Sequence, residues 1–170
     1  AIYNVALALN QMVYSLMILP IILTPTVSVL WAKGDYREIR RITLHVIGFC
    51  LAMLPVALVV GIFWADDIIT IAFAEKYAIG ATALAWLWAG AIFFAIGNVC
   101  TRTLNAGHDQ RSVAGIVSIC VVANFVLNVL LIPRYGIAGA AAATSMSYVL
   151  LASLSSAKLF AKLRSSVQTG

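Results

Sequence analysis

The sequence predicts an all-α fold, a polytopic bundle of transmembrane helices. Five apolar runs, at about residues 5–31, 42–63, 81–99, 113–132 and 137–160, are each long enough to cross a hydrocarbon core of roughly 30 Å as a helix. Hydrophobic residues make up 63% of the chain and charged residues only 10%, with a mean hydropathy of +1.01. This composition lies outside the range of soluble globular domains.

The basic residues alternate between the gaps that separate these runs. Nine of the eleven Lys and Arg residues lie after the first run, after the third, or around the end of the fifth. The positive-inside rule then predicts that Ala1 is outside and Gly170 is in the cytoplasm. Because these cations are spread over three segments instead of forming one stripe, no nucleic-acid partner is expected.

The first run is half polar and contains two prolines. Asn4, Gln11 and Tyr14 share one helical face, which is typical either of a helix that lines a substrate cavity or of hydrogen bonding between helices. Pro20 and Pro25 are candidate hinges, with a static kink as the alternative.

Two loops follow in order. After the first run, Gly34 is predicted to end a helix and Asp35 to cap the next one. Arg40 and Arg41 are either contacts for anionic lipid headgroups or ordinary topogenic charges. In the gap of residues 64–80, Asp66 and Asp67 are predicted to act as a cap, and the segment that follows is either a short interfacial helix or an extension of the second span.

The third and fourth runs contain the other candidate cavity residues. Asn98, Arg102 and Asn105 form one face on which a cation flanked by amides could hold a phosphate group. The alternative is a snorkelling, topogenic Arg102. Asn124 and Asn128 also share a face, and either contact a sugar or join helices.

The fifth run begins with small residues spaced four apart, such as Gly139, Ala143 and Ser147, which predicts close packing against a neighbouring helix. Cys50, Cys100 and Cys120 are interpreted as apolar fillers, since they lack metal-ligand spacing. No metal site, cofactor or catalytic residue is expected.

The boundaries follow from these runs. Residues 1–164 are predicted to form the helical bundle and residues 165–170 a cytoplasmic tail. An odd number of spans with the amino end outside predicts a fragment of a longer chain, whose amino-terminal half would be a partner of this one.

Four segments carry a resemblance to a known family. They are Asn128 to Thr144 with Pro133, Gly136 and Gly139; Thr24-Pro25-Thr26 followed by Ala32-Lys33-Gly34-Asp35; Phe73-Ala74-Glu75-Lys76-Tyr77; and Arg102 to Gly107. The chain resembles the carboxy-terminal half of the O-antigen and exopolysaccharide flippases of the multidrug/oligosaccharidyl-lipid/polysaccharide exporter superfamily. Ala74 departs from the glycine that is usual in the outer loop, and His108 stands where a basic residue is common.

The resemblance implies most of one lobe of a two-lobed transporter in the bacterial cytoplasmic membrane. Its substrate would be an undecaprenyl-pyrophosphate-linked oligosaccharide, and its partners this substrate and membrane lipids. The alternatives are a cation-coupled multidrug antiporter of the same superfamily, a membrane glycosyl or acyl transferase, and a membrane scaffold. An antiporter would need a membrane-buried Asp or Glu, and an enzyme would need clustered carboxylates or His at a membrane face.

Overall fold

The computed structural model describes residues 19–63 and 81–168, and this part of the chain is almost entirely helical. Helix α1 is Leu19–Lys33, α2 is Tyr36–Phe63 and α3 is Ala81–Ala106. A further helical stretch is Gln110–Gln168. Asn4, Gln11, Tyr14 and the short helix predicted within residues 64–80 lie outside the described residues.

The last helical stretch is a hairpin of two antiparallel helices. Gly136, at φ 55° and ψ −129°, interrupts it in a backbone conformation that is almost exclusive to glycine. We call residues 110–135 α4 and residues 137–168 α5. The chain folds back at this point, because Lys162 near the end of α5 lies 3.7 Å from Asp109, just before α4. The predicted fourth and fifth spans therefore fall on the two arms of the hairpin.

Three helical stretches are long and apolar enough to cross a membrane, namely Tyr36–Val56, Trp86–Ala106 and Gln110–Ser166 with its bend. The predicted membrane-spanning helical fold is thus confirmed for the part of the chain that the structure describes. Most of the first predicted span precedes that part.

The helices continue beyond the predicted apolar runs at one end of the bundle. Helix α2 begins at Tyr36 instead of residue 42, and α3 ends at Ala106 instead of residue 99. Helix α5 reaches Gln168, four residues into the predicted tail. The flanking Lys and Arg side chains favour helix and can extend to the headgroup level, so a helix need not stop where its apolar run stops.

The turn between α1 and α2 contains the glycine that ends one helix and the aspartate that caps the next, as the sequence predicts. Gly34 adopts a positive φ of 71°, and the Asp35 amide donates a hydrogen bond of 3.0 Å to the Leu30 carbonyl. The Asp35 carboxylate accepts a hydrogen bond of 3.1 Å from the Glu38 amide. The prediction that Gly34 ends one helix and Asp35 caps the next is confirmed.

Helix α3 is the central helix of the bundle. In the 18-residue apolar segment by which each helix could cross a membrane, 61% is buried inside the protein for α3. The corresponding values are 22% for α2 and 11% for the hairpin. Ile92, Ile96 and Leu104 of α3 form a core with residues of the other helices, including Val27 of α1 and Leu159 of α5. Because the other helices pack around α3, only the part of its surface that they leave uncovered is open to a ligand.

Small residues bring α3 and α5 into close contact through Ser145 and Gly90, and Ser145 lies on another side of α5 than the predicted row of Gly139, Ala143 and Ser147. The Ser145 hydroxyl of α5 donates hydrogen bonds of 2.6 Å to the Trp86 carbonyl of α3 and 2.9 Å to its own Ala141 carbonyl. A Cβ atom built on Gly90 would lie 2.9 Å from the Ser145 Cα atom. The two backbones can approach this closely because Gly90 has no side chain.

Candidate functional site

The directions of the helices bring nine basic residues to one end of the bundle, which we call the basic end. Helices α1, α3 and α5 end there and α2 and α4 begin there, as the contacts of Trp31 with Thr103 and of Lys162 with Asp109 require. The nine are Lys33, Arg37, Arg40, Arg41, Arg102, Arg111, Lys158, Lys162 and Arg164. Arg134 lies at the opposite end, and Lys76 is outside the described residues.

The predicted face of Asn98, Arg102 and Asn105 is the open face of the central helix near the basic end. Arg102 and Asn105 are exposed and Asn98 is half-buried, whereas Thr103 and Leu104 on other sides of α3 are buried. The structure brings the three side chains onto one surface, as their spacing predicts. Among the described residues, Arg102 has no carboxylate within ion-pair distance.

We call this face, with Asn98, Arg102 and Asn105, the α3 stripe. The half-buried Phe94 lies one turn before Asn98 and continues it, whereas Trp86 and Phe93 lie on the opposite side of α3 from Arg102. The Phe94 ring contacts the Tyr148 ring of α5 at 4.7 Å between centroids. An aromatic pair beside a cation and two amides is suited to a molecule with an apolar part and an anionic, hydrogen-bonding head.

Asn105 also faces a groove of about 460 Å³ at the basic end. This groove lies between α1, through Ser28, Trp31 and Ala32, and the α3–α4 turn, through residues 105–108 and Gln110. Asn98 is not part of its wall, and its side-chain amide donates a hydrogen bond of 3.1 Å to the Phe94 carbonyl one turn earlier. Arg102 is not part of its wall either.

Asn124 and Asn128 are separate from the α3 stripe and bond to each other. The Asn128 amide donates hydrogen bonds of 2.9 Å to both the carbonyl and the side-chain oxygen of Asn124. Within the described chain neither asparagine joins α4 to another helix by a hydrogen bond. Their contact with a sugar remains a prediction.

The two hinge candidates lie in α1. The helix runs continuously from Leu19 to Lys33 with Pro25 inside it, and Pro25 is exposed. Pro20 falls in the first turn of the described part. The hinge role of Pro20 and Pro25 stays a prediction.

A network around Lys162, which the sequence analysis did not identify, joins three helices at the basic end. The Lys162 ammonium donates a hydrogen bond of 2.7 Å to the Gly107 carbonyl, lies 3.7 Å from the Asp109 carboxylate and stands 5.2 Å above the Trp31 ring. The Trp31 indole in turn donates a hydrogen bond of 3.0 Å to the Thr103 carbonyl. We call these contacts the Lys162 latch.

The carboxylate of the latch is held in its charged form. A hydrogen bond from the Ser112 side chain, followed by the charges of Lys162 and Lys158, lowers the pKa of Asp109 below its usual value. The partners lie up to 72 residues apart in sequence, as in the pair Trp31 and Thr103, so local spacing carries no signal for them.

Comparison with known proteins supplies a family and two relatives. The family model described as lipid II flippase MurJ matches residues 1–167. The chain is 29% identical over 149 residues to the uncharacterized membrane protein MJ1068 of Methanocaldococcus jannaschii, covering 87% of this chain and 29% of that protein. It is also 29% identical over 126 residues to the probable low-salt glycan biosynthesis flippase Agl15 of Haloferax volcanii, covering 74% of this chain and 27% of that protein.

The chain thus spans less than a third of the length of these curated relatives. No solved structure matches it significantly.

Proposed function

Since the chain belongs to the lipid II flippase MurJ family, we propose that it works as part of a transporter that moves lipid-linked sugars across a membrane. The family and the relative named as a glycan biosynthesis flippase support a transporter over a catalytic enzyme. The observation that carries the proposal is the α3 stripe, where the central helix of a membrane bundle leaves Arg102 and Asn105 exposed beside the half-buried Asn98.

The chemistry of the α3 stripe fits the two parts of a lipid-linked saccharide. A planar guanidinium can bind a pyrophosphate through paired hydrogen bonds, which suits Arg102 to the charged linkage. Asn98 and Asn105 offer amide groups to sugar hydroxyls, and the Phe94 and Tyr148 rings offer an apolar surface to the lipid part. Binding of this kind would leave the substrate's charge near the basic end.

The finer form of the proposal gives the chain five spans and most of one lobe of a two-lobed transporter. In that arrangement the amino-terminal half of a longer chain faces the α3 stripe across a polar cavity. Asn4, Gln11 and Tyr14 line the same cavity, and Pro20 and Pro25 let α1 bend as the lobes rock. The basic end lies in the cytoplasm under the positive-inside rule.

The substrate class is a saccharide on an anionic lipid carrier. Lipid II, which names the family, is one member of this class, and the undecaprenyl-pyrophosphate-linked units of O-antigen or exopolysaccharide are others. The α3 stripe supports the class through its charge and polarity.

The described chain offers no observation that favours a cation-coupled antiporter. Its acids are Asp35, Glu38 and Asp109, and all three lie in or beside turns at the basic end. A titratable coupling site would be expected deep in a span.

Replacing Arg102 with Gln in the full-length protein tests the proposal. Removing the cation while keeping hydrogen-bonding capacity is expected to reduce translocation by about tenfold or more, because a charge-assisted bond to the phosphate contributes roughly 1.5–3 kcal/mol. The measurement is the rate at which a lipid-linked saccharide crosses the membrane of proteoliposomes, normalised to protein amount.

Arg111→Gln is the matched control, since Arg111 is another exposed arginine at the same end but lies on α4. Arg102→Lys should retain part of the rate. Equal translocation rates in the Arg102→Gln and Arg111→Gln proteins would contradict the proposal and would mean that Arg102 acts only as a topogenic charge.

A further inference from the structure

A second cationic groove lies at the basic end, between the start of α2 and the end of α5. Its volume is about 700 Å³. Helix α2 contributes Tyr36, Arg37, Arg40 and Leu44, and α5 contributes Phe160, Leu163 and Arg164. None of these residues belongs to the α3 stripe, so the groove is a separate feature of the bundle.

The three arginines of the groove are unneutralised. Its lining contains no acid, and within the described chain no carboxylate lies within ion-pair distance of Arg37, Arg40 or Arg164. The nearby Glu38 instead pairs with Arg41 at 2.8 Å. The groove therefore concentrates positive charge from two helices at one place.

The floor of the groove is apolar. Leu163 is buried beneath it, Phe160 is half-buried, and Leu44 is 46% exposed. Arg37, Arg40 and Leu44 lie along one face of α2 at spacings of three and four residues. From Arg37 to Leu44 the helix rises about 10 Å, so the groove leads from the charged helix end into the apolar zone.

We propose that this groove binds an anionic phospholipid of the surrounding bilayer, with its phosphate on the three arginines and its upper acyl chain against Leu44 and Phe160. A soluble phosphate would use the arginines and leave the apolar floor in contact with water, whereas a phospholipid matches both parts. Basic clusters at the edge of a span attract anionic headgroups for the same electrostatic reason. The proposal is independent of which substrate the transporter moves.

Native mass spectrometry of the full-length protein in detergent, titrated with phosphatidylglycerol, tests the proposal. We compare a triple variant carrying Arg37→Gln, Arg40→Gln and Arg164→Gln with a control triple carrying Arg41→Gln, Arg111→Gln and Arg134→Gln. Both lose three positive charges, but only the first loses those of the groove. The groove variant is expected to bind the lipid at least about tenfold more weakly, and the control to stay within about twofold.

Three results would overturn the proposal. They are an equal loss in both triple variants, no loss in either, or displacement of phosphatidylglycerol by inorganic phosphate at millimolar concentration. The last result would assign the groove to soluble anions. Phosphatidylcholine, which has no net charge, is expected to bind the unaltered protein more weakly than phosphatidylglycerol does.

A second measurement keeps the proposal testable if the groove variant fails to fold. Phosphatidylglycerol with a photoreactive group in its acyl chain is added to the unaltered protein, and the cross-linked peptides are mapped. Labelling is expected around Leu44 and Phe160. Labelling confined to other segments would contradict the proposal.

Discussion

Replacing Gly90 with Ala is expected to destabilise the bundle strongly, by about 1–3 kcal/mol or more. The added methyl would lie 2.6 Å from the Ser145 Oγ atom and 2.9 Å from the Ser145 Cα and Cβ atoms. A flexible side-chain end could move away, but a helix backbone cannot do so without shifting α5 as a whole. Thermal unfolding of the purified full-length protein in detergent measures the effect.

Gly115→Ala is the matched control for Gly90→Ala. Gly115 also lies inside a helix, but a Cβ atom built there has no neighbour within 4 Å. The control should be neutral or stabilising by up to about 1 kcal/mol, since Ala favours helix more than Gly. Adding Ser145→Gly to Gly90→Ala removes two of the three crowding atoms and should restore part of the stability. Equal stability of the Gly90→Ala and Gly115→Ala proteins would contradict the close packing of α3 on α5.

Replacing Lys162 with Met is expected to cost about 2 kcal/mol of stability, because it removes a charge-assisted hydrogen bond and a cation–π contact together. Methionine keeps much of the apolar stem, so the loss reports the ammonium group and its contacts with Gly107, Asp109 and Trp31. The measurement is again unfolding of the full-length protein.

Lys158→Met is the control for the Lys162 latch. Lys158 is 46% exposed in its side chain, and its ion-pair distance to Asp109 is 3.9 Å. Its replacement should cost less than about 1 kcal/mol, as is usual for an exposed ion pair. Equal losses of stability for Lys158→Met and Lys162→Met would show that Lys162 stabilises the protein only through its positive charge and not through its specific contacts.

Acidification gives a further check on the Lys162 latch. The pKa of Asp109 is lowered in the folded protein, so its stabilising effect is complete above the ordinary value of 3.8 and is lost as the pH falls through the lower folded value. The stability difference between the unaltered protein and Asp109→Asn should therefore be the same at pH 7 and pH 5. A difference that shrinks between these two values would contradict the lowered pKa.

The sequence predicted the features that depend on local chemistry. Apolar length and charge alternation predicted the membrane-spanning helices, and Gly34 with Asp35 predicted the turn between α1 and α2. The spacing of Asn98, Arg102 and Asn105 predicted a shared face because helical periodicity requires it. In each case the determining residues lie within a few turns of one another.

The features that the sequence did not predict depend on contacts between distant segments. Arg37 and Arg164 line one groove although 127 positions separate them. In the sequence, each of them taken alone is interpreted as a topogenic charge. Lys162 and Asp109 are likewise unremarkable in isolation. Helix ends were also misplaced, since hydropathy locates the lipid-facing part of a helix and gives no information about how far the helix continues beyond it.

The most direct test of the central claim is whether water and substrate reach the α3 stripe in the full-length protein. Single cysteines at Asn98, Asn105 and Phe125 are introduced after Cys50, Cys100 and Cys120 are replaced by Ser, and their reaction with a membrane-impermeant thiol reagent is measured in open membranes. Phe125 is the control, since it is exposed on the apolar surface of α4 and is expected to face lipid. If the α3 stripe lines a substrate cavity, the cysteines at 98 and 105 react, a lipid-linked saccharide slows their reaction, and the cysteine at 125 stays unreactive. If the cysteines at 98 and 105 are as unreactive as the one at 125, the α3 stripe faces lipid and does not line a substrate cavity.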